Sequence, residues 1–274
     1  MQNIQKMLET NKTQKQYYEF EADANCDYGG NAATSLWNKL REYQYKMTDD
    51  IQLNELLFEK HKLWLGDLSG KKVLDLGCHK GNELSVHLSK NSSYYLACDL
   101  SESALKVLEN KLLAENIQNA NFAAIDILSE DFKESNFDVI YAKSVFHHFE
   151  YFEDFLVKIK SLLKPNGIAI TFDPMDFYLP LRITRAIYRP FQFDKSWEFP
   201  FNAKSIELIN KYFEVEDLAG MMGKTKYALP VYLLSPNYAI AKSKQWVDQD
   251  LNKIKFNSKA MKSCMRISFK LVNK

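Results

Sequence analysis

Short apolar runs alternate with helical patterns through the middle of the chain. Apolar runs cover residues 73–76, 94–100, 121–127 and 137–143, and a fifth follows the turn at 162–170. Residues 82–90, between the first two runs, have the periodicity of a helix. Strands and helices in this arrangement predict an α/β fold with a Rossmann-like, doubly wound sheet.

The flanking segments have different patterns. Residues 34–62 show helical periodicity, and a helix at 203–213 leads into a sixth strand near 213–218 and a final strand at 238–242. The long connection 175–201 carries three prolines and no clear period, which is typical of a functional loop. These patterns divide the chain into five segments: an N-terminal helical lid (1–68), a cofactor-binding core (69–174), an acceptor-site cap (175–202), the end of the sheet (203–245) and a C-terminal helix (246–274).

The C-terminal segment is basic. From Lys253 onward it contains seven Lys or Arg residues and no acid, and the basic residues recur every three or four positions. On a helix they would form one stripe, with apolar residues mostly on the other side. Such a helix could lie on an anionic membrane surface, which would suit a lipid-linked acceptor. Alternatively, its apolar side docks on the sheet.

Composition is that of a globular protein, with 46% hydrophobic and 26% charged residues. A net charge of +1 gives no reason to expect nucleic acid as a partner. The first residues are polar, and no window approaches the roughly 18 apolar residues that span a bilayer. The four cysteines are scattered without ligand spacing, so we expect reduced thiols, no metal site and a cytoplasmic protein.

The first strand is followed by the most informative turn of the chain. Residues 73–81 read Val-Leu-Asp-Leu-Gly-Cys-His-Lys-Gly. A strand, a glycine-bearing turn and a helix direct free backbone N–H groups at the strand's carboxyl end, where nucleotide-like ligands bind. The spacing is Asp-x-Gly-x-x-x-Gly rather than G-x-G-x-x-G, which weakens a nicotinamide or nucleotide-sugar enzyme as an alternative.

Two further carboxylates follow the second and third strands. Asp99 lies about twenty residues after the turn, where a carboxylate that accepts both hydroxyls of a ribose is expected. Asp126 ends the third run, and residues 162–170 contain a Leu-Lys-Pro-Asn-Gly turn. Over residues 70–174 this ordered set of motifs resembles the small-molecule class I S-adenosylmethionine-dependent methyltransferases.

This resemblance implies seven strands, mostly parallel with an antiparallel last strand, and S-adenosylmethionine as the cofactor, with S-adenosylhomocysteine as the product. Asp126 would accept from the adenine amino group, while Ile127 would offer a backbone N–H and an apolar wall. The residues predicted to bind the cofactor are Asp75, Gly77, Cys78, His79, Gly81, Asp99, Leu100, Asp126, Ile127 and Lys143.

Two positions depart from the family pattern. Asn166 replaces a glycine in the later turn, a mild change because Asn tolerates positive φ. His79 replaces the middle glycine of the first turn. A backbone at negative φ would let the loop keep its shape, with the ring near the methionine end of the cofactor. Alternatively, His79 is a solvent-facing loop residue.

The acceptor site is predicted from position and residue type. His147 and His148 follow the fourth strand, at the rim where the transferable methyl would lie, and either is a candidate base. In the resembling family, a histidine at the position of His148 fits a structural contact better than a base. Alternatively to His147, the base is another residue or none is used. Tyr18, Trp37, Tyr188 and Trp197 are predicted to line the acceptor pocket, and arginines of the cap (Arg182, Arg185 and Arg189) to steady an anionic group.

The predicted function is therefore methyl transfer to an O or N atom of a small apolar or amphiphilic molecule. Two alternatives stay open on the sequence. One is a catalytically silent protein that binds the cofactor and serves as a partner for another protein. The other is a methyltransferase that is peripheral to a membrane, through residues 253–274, and acts on a lipid-linked acceptor.

Overall fold

The structure, a computed structural model, describes residues 2–24 and 32–274, apart from the side chains of residues 23, 24, 32–34, 36, 37 and 40. The α-helices within this part of the chain are α1 Gln2–Ala24, α2 Ala32–Asp50, α3 Leu53–Leu65, α4 Glu83–Asn91, α5 Glu102–Ala114, α6 Phe152–Leu162, α7 Leu179–Tyr188, α8 Ala203–Tyr212, α9 Leu229–Leu234, α10 Pro236–Asn252 and α11 Lys259–Ser263. Short 3₁₀ helices cover Phe146–His148, Arg189–Phe191 and Thr225–Ala228.

Seven strands form one sheet in the described part of the chain. They are β1 Lys72–Leu76, β2 Tyr94–Asp99, β3 Ala120–Ala124, β4 Phe137–Lys143, β5 Leu163–Pro174, β6 Glu214–Met221 and β7 Arg266–Val272. Their order across the sheet is β3-β2-β1-β4-β5-β7-β6, and β7 is antiparallel to both of its neighbours. The predicted Rossmann-like sheet with an antiparallel last strand is confirmed.

The central strands β1, β2 and β4 carry buried apolar residues on both faces because helices cover the sheet on both sides. Leu74 and Ile140 belong to the cluster that contains Phe155 of α6. Val73 and Val139 point to the opposite face and belong to the cluster that contains Leu57 and Leu84 of α3 and α4. The strand order reverses between β1 and β4, which opens a crevice at their carboxyl ends.

The predicted C-terminal helix at 246–274 is wrong. The helix α10 ends at Asn252, and residues 266–272 form β7, which lies between β5 and β6. Ile267, Phe269 and Leu271 alternate along this segment and are fully buried. A period of two places all three on one face of a strand, whereas a helix would scatter them. The spacing of the basic residues had concealed this alternation.

No basic stripe exists in the folded tail. Lys270 pairs with Glu216 at 2.9 Å, Lys274 with Glu214 at 3.5 Å, and Lys253 with Asp248. Arg266 lines an internal cavity. The structure therefore gives residues 266–272 a place in the sheet. Within residues 253–274 it has only the five-residue helix α11, in place of the long amphipathic helix on which the predicted membrane contact depends.

The predicted final strand at 238–242 is also wrong, because these residues lie inside α10. Pro236 occupies the first turn of this helix, a position where proline is well tolerated. Its buried residues, Ala239, Ser243 and Val247, recur every four positions and pack toward the sheet. A five-residue apolar run could not separate strand from helix, whereas the full 17-residue pattern does.

Two smaller expectations have clear outcomes. Asn166 adopts a φ of +60°, the conformation for which an asparagine substitutes well for glycine. His79 has a φ of +48° rather than the negative value expected if the loop is to keep its shape, and it is partly buried rather than facing solvent.

Candidate active site

The turn after β1 is shaped by backbone conformations that favour glycine. Gly77 and Gly81 have φ values of +61° and +67°. A Cβ on Gly77 would lie 2.4 Å from a methyl group of Val145, and one on Gly81 would lie 2.3 Å from Leu108. Both glycines are therefore required for the close packing of the turn against β4 and α5.

Asp99, at the end of β2, holds this turn in place. One carboxylate oxygen accepts from the backbone N–H of His79 at 2.7 Å, and the other accepts from the N–H of Ser101 at 2.9 Å. Burial raises the pKa of Asp99, and these backbone hydrogen bonds oppose the shift. The carboxylate stands at the edge of a small cavity, where it keeps lone pairs for further donors.

A cavity of about 250 Å³ lies above the carboxyl ends of β1, β2 and β4. Its wall contains seven of the residues predicted to bind the cofactor: Gly77, His79, Asp99, Leu100, Asp126, Ile127 and Lys143. The buried Nε2 atom of His79 has no hydrogen-bond partner among the described residues, so it is available to a ligand. We call this space the cofactor cavity.

Three predicted cofactor residues lie outside the wall. Cys78 and Gly81 shape the turn, and Asp75 is buried within the sheet, where it accepts from the hydroxyl of Tyr95 at 2.8 Å. Burial raises the pKa of Asp75 to about 6, although hydrogen bonds from Ser85 and Tyr95 oppose the shift. The negative charge of Asp99 also raises the pKa of Asp75.

The sequence predicted an N-terminal helical lid at 1–68, but it assigned none of the residues of α1 to the cofactor cavity. Asn11 of this helix donates to the carboxylate of Asp126 at 2.8 Å, and Gln14 and Glu21 also line the cavity. Farther along α1, Glu19 accepts from the backbone N–H groups of Glu102 and Ser103, the first turn of α5. Negative charge at a helix N-terminus is favourable, so α1 is fixed over the cavity at both places.

A second, larger cavity of about 650 Å³ adjoins the first. It lies beneath the cap, and its wall combines apolar side chains with four arginines: Leu181, Leu229, Leu233, Met265, Arg41, Arg185, Arg189 and Arg266. Arg185 and Arg189 were predicted, whereas Arg41 of α2 and Arg266 of β7 were not. We call this space the acceptor cavity.

Of the four predicted acceptor residues, Tyr18 lies in the wall of the acceptor cavity. Trp197 does not, because its ring is 1% exposed and packs against Tyr17 at 5.8 Å. Tyr188 is also absent from the wall. The side chain of Trp37 falls outside the described residues. Aromatic content alone could not separate a ring that lines a cavity from one that fills the core.

Both cavities share three wall residues, namely Tyr18, Ser144 and His148. Ser144 and His148 follow β4, and Tyr18 approaches from α1. The Ser144 backbone has a φ of +61°, and its N–H donates to the carbonyl of Phe172 on β5. We call this place the junction, because a molecule in the acceptor cavity can reach a cofactor there.

His147 lies beside the junction in a network of carboxylates. Its Nδ1 donates to Asp173 at 2.7 Å, and its Nε2 lies 3.4 Å from Glu198 of the cap. Burial lowers the pKa of His147, but hydrogen bonds to Asp173 and Glu198 outweigh it and raise the pKa to about 9. At neutral pH the imidazole ring of His147 is therefore protonated as long as Glu198 remains beside it.

His148 differs from its neighbour. Its Nδ1 donates to the carbonyl of Trp197 at 2.9 Å, which places the lone pair on Nε2. Burial and the charge of His147 lower the pKa of His148 to about 4, so this ring is neutral. Ligand atoms of His147, His148 and Glu198 all lie within 4.8 Å of one another, close enough to hold a metal ion, a grouping that sequence spacing did not predict.

Comparison with known proteins agrees with this geometry. Residues 74–169 match the family model of a methyltransferase domain. Over 138 residues the chain is 29% identical to a ubiquinone biosynthesis O-methyltransferase from Rickettsia bellii, covering 50% of this chain and 55% of that protein. It is 34% identical over 132 residues to an uncharacterized protein from Haemophilus influenzae, covering 47% and 52%.

Among solved structures, the fold is similar to that of magnesium protoporphyrin IX methyltransferase from Synechocystis, which was crystallised with bound S-adenosylhomocysteine. The TM-score is 0.58 at 14% identity, with 96% of this chain and all of that chain covered (100%). The predicted resemblance is thus confirmed: the chain contains a class I S-adenosylmethionine-dependent methyltransferase domain, and S-adenosylmethionine is its cofactor.

The chain spans about half the length of the curated relatives it matches. Outside residues 74–169, which the family model matches, lie α1, α2, the cap, α9 and β7, and together these supply most of the wall of the acceptor cavity. Among the described residues, no helix is both long and apolar enough to cross a membrane.

Proposed function

We propose that the chain transfers the methyl group of S-adenosylmethionine to an O or N atom of a small amphiphilic molecule. The observation that carries this proposal is the junction, where a cofactor-sized crevice opens into a separate cavity beside Tyr18, Ser144 and His148. The acceptor lone pair forms a bond to the methyl carbon while the carbon–sulfur bond breaks. The electron pair returns to sulfur, and the acceptor proton passes to water or to a base.

The acceptor cavity supports an amphiphilic molecule because its wall is mixed. Leucines from α7 and α9 provide apolar surface, and arginines provide charge. Holding the acceptor in line with the methyl group, in a site closed to water, supplies much of the acceleration of such a displacement. Two adjoining cavities that share Tyr18, Ser144 and His148 support such a mechanism, in which a base is not required.

The test is transfer of radiolabelled methyl from S-adenosylmethionine to small molecules of a cell extract, followed by isolation of the labelled product. We expect one dominant product and stoichiometric S-adenosylhomocysteine. Cofactor binding without any labelled product, in extracts from several sources, would favour the silent cofactor-binding protein instead.

His147 as the general base is tested with the same product. If His147 removes a proton in the rate-limiting step, His147→Ala should lower kcat by about 10²-fold or more. Because its pKa is raised to about 9, the wild-type rate should rise with pH up to that value, and the variant should lose this limb. His87→Ala, on α4 and outside both cavities, is the control. Near-full turnover by His147→Ala would exclude His147 as the base and would indicate that catalysis depends on positioning the acceptor beside the methyl group.

A lipid-linked acceptor is the second candidate, and α7 favours it. The inner face of this helix lines the acceptor cavity, whereas Leu179, Ile183 and Ile187 on its outer face are 61%, 52% and 70% exposed. An apolar stripe at the mouth of the cavity would contact the bilayer that holds such an acceptor. The lipid-linked acceptor would be supported if the protein co-sedimented with liposomes and Ile187→Asp weakened this binding while Val107→Asp, on α5, did not. A protein that stays in the supernatant would exclude this candidate.

A further inference from the structure

The acceptor cavity contains two arginines that form no ion pair with an acid among the described residues. Arg41 and Arg266 both line the cavity. Among the described residues, neither has a carboxylate within the 4.0 Å of an ion pair, whereas Arg185 pairs with Asp176 at 3.3 Å. The one acid in the cavity wall, Glu198, is already paired with His147.

Arg41, Arg266 and the hydroxyl of Tyr45 lie in the wall of the same cavity. Arg41 donates to the hydroxyl of Tyr45 at 2.8 Å. Burial raises the pKa of Tyr45, but the charges of Arg266 and Arg41 outweigh it and lower the pKa. The charges of both arginines therefore act on the Tyr45 hydroxyl.

The fold fixes this arrangement from two distant parts of the chain. Arg266 is the first residue of β7, paired in register with Pro174 of β5, and its guanidinium stacks 5.5 Å from the ring of Phe172. Arg41 comes from α2. A guanidinium presents several N–H donors in a plane that matches carboxylate and phosphate oxygens, and a pair of them can bind one oxyanion from two sides.

From this geometry we infer that Arg41, Arg266 and the Tyr45 hydroxyl bind an oxyanion, carboxylate or phosphate, of the acceptor. None of the three belongs to the junction, so the anion is an anchor and not the atom that receives the methyl group. The inference rests on the proposed function in treating the acceptor cavity as the substrate site. It narrows the substrate class to amphiphiles that carry a carboxylate or a phosphate at one end.

The test measures binding of simple probes to the protein loaded with S-adenosylhomocysteine. Octanoate and phenyl phosphate are titrated by calorimetry beside octanamide and phenol, which are neutral and of similar shape. We expect the anions to bind at least about tenfold more tightly, since a hydrogen bond between charged groups is stronger than one between neutral groups. Comparing octanoate with phenyl phosphate assigns the preferred oxyanion.

Variants locate the site. Arg266→Met keeps the bulk that covers Phe172 and removes the charge, and Arg41→Met provides a second test if the first variant does not fold. Each should lose about tenfold or more in anion affinity while binding of the neutral probes stays unchanged. Arg182→Met, on α7 but outside the cavity wall, is the matched control.

The inference would be overturned if the anions bound no more tightly than their neutral counterparts. It would also be overturned if folded Arg266→Met and Arg41→Met proteins bound the anions as tightly as Arg182→Met does.

These measurements need no methyl transfer. A protein that binds the anions but transfers no methyl would contradict the proposed function alone, and one that methylates a neutral acceptor with Arg266→Met unaffected would contradict this inference alone.

Discussion

At the scale of single residues, three aspartates that follow one another in the sheet have different tasks. Asp99 and Asp126 line the cofactor cavity, whereas Asp75 is buried within the sheet and bonds to Tyr95. Position along the strand decides the difference, since Asp75 pairs with Ala97, two residues before Asp99, and so lies farther from the carboxyl edge where the cavity opens. Residue type and spacing alone had assigned all three to the cofactor.

Asp99→Ala is expected to weaken S-adenosylmethionine binding by tens-fold or more. A carboxylate that accepts two ribose hydroxyls leaves both unpaired when it is removed, a loss of a few kcal/mol. Calorimetry with a folded variant measures it, and Asp75→Asn is the control because Asp75 lies outside the cofactor cavity. Unchanged affinity in Asp99→Ala would reject the ribose assignment.

Asp75→Asn should instead change how stability depends on pH. The pKa of Asp75 is raised from 3.8 to about 6, so between these values the folded protein binds the extra proton and stability falls as pH rises. Above pH 6 the buried carboxylate costs up to about 3 kcal/mol. Urea unfolding should therefore show Asp75→Asn gaining stability relative to wild type from pH 4.5 to 7.5. A constant difference between the two proteins would contradict this.

At the scale of elements, α1 and β7 matter more than their sequences suggest. The helix α1 completes the cofactor cavity and contributes Tyr18 to the junction. The strand β7 pairs with β5 and β6 along its whole length and carries Arg266 into the acceptor cavity. Elements at the two ends of the chain therefore build both sides of the site.

Asn11→Ala tests the contribution of α1. Losing the hydrogen bond to Asp126 removes about 1 kcal/mol and should weaken S-adenosylmethionine binding about fivefold. Asn3→Ala is the matched control, because Asn3 lies on the same helix and donates to the exposed Asp154. Equal affinities for the two variants would show that α1 covers the cofactor cavity without supporting its polar groups.

At the scale of the whole molecule, residues 253–274 pack into the hydrophobic core of the fold. Phe269 is fully buried, and the cluster around it includes Phe201 of the cap boundary and Phe256. This packing joins the sheet, the cap and the tail into one hydrophobic core. A tail with such contacts is part of the domain and is not free to bind elsewhere.

Phe269→Ala should lower the free energy of unfolding by about 3–5 kcal/mol, the cost of a large cavity in a packed core. Lys259→Ala, in the same segment but exposed, should change it by less than about 0.5 kcal/mol. Chemical denaturation compares them directly. Equal stabilities would restore the earlier hypothesis that this segment is a peripheral helix.

The sequence by itself determined the cofactor half of this protein. Short stretches of sequence encode each part of the cofactor half: the strand, glycine turn and helix around Gly77, and the carboxylates at the ends of β2 and β3. Each part can be recognised locally because backbone conformation and strand ends are local properties. Local patterns therefore predicted the first five strands, and the family resemblance that the motifs carry implied the cofactor and seven residues of its cavity wall.

Only the tertiary structure decided the acceptor half. Tyr18, Arg41, His148 and Arg266 meet across more than 200 positions of sequence, and no local period records which of them face one cavity. The tail shows the same limit at shorter range, since its basic residues have a helical spacing and its apolar residues a strand spacing. Pairing with β5 and β6 buries Ile267, Phe269 and Leu271. The basic side chains can reach water in a helix or in a strand, so their positions contribute little to the choice. The free energy gained by burying the three apolar side chains therefore favours the strand.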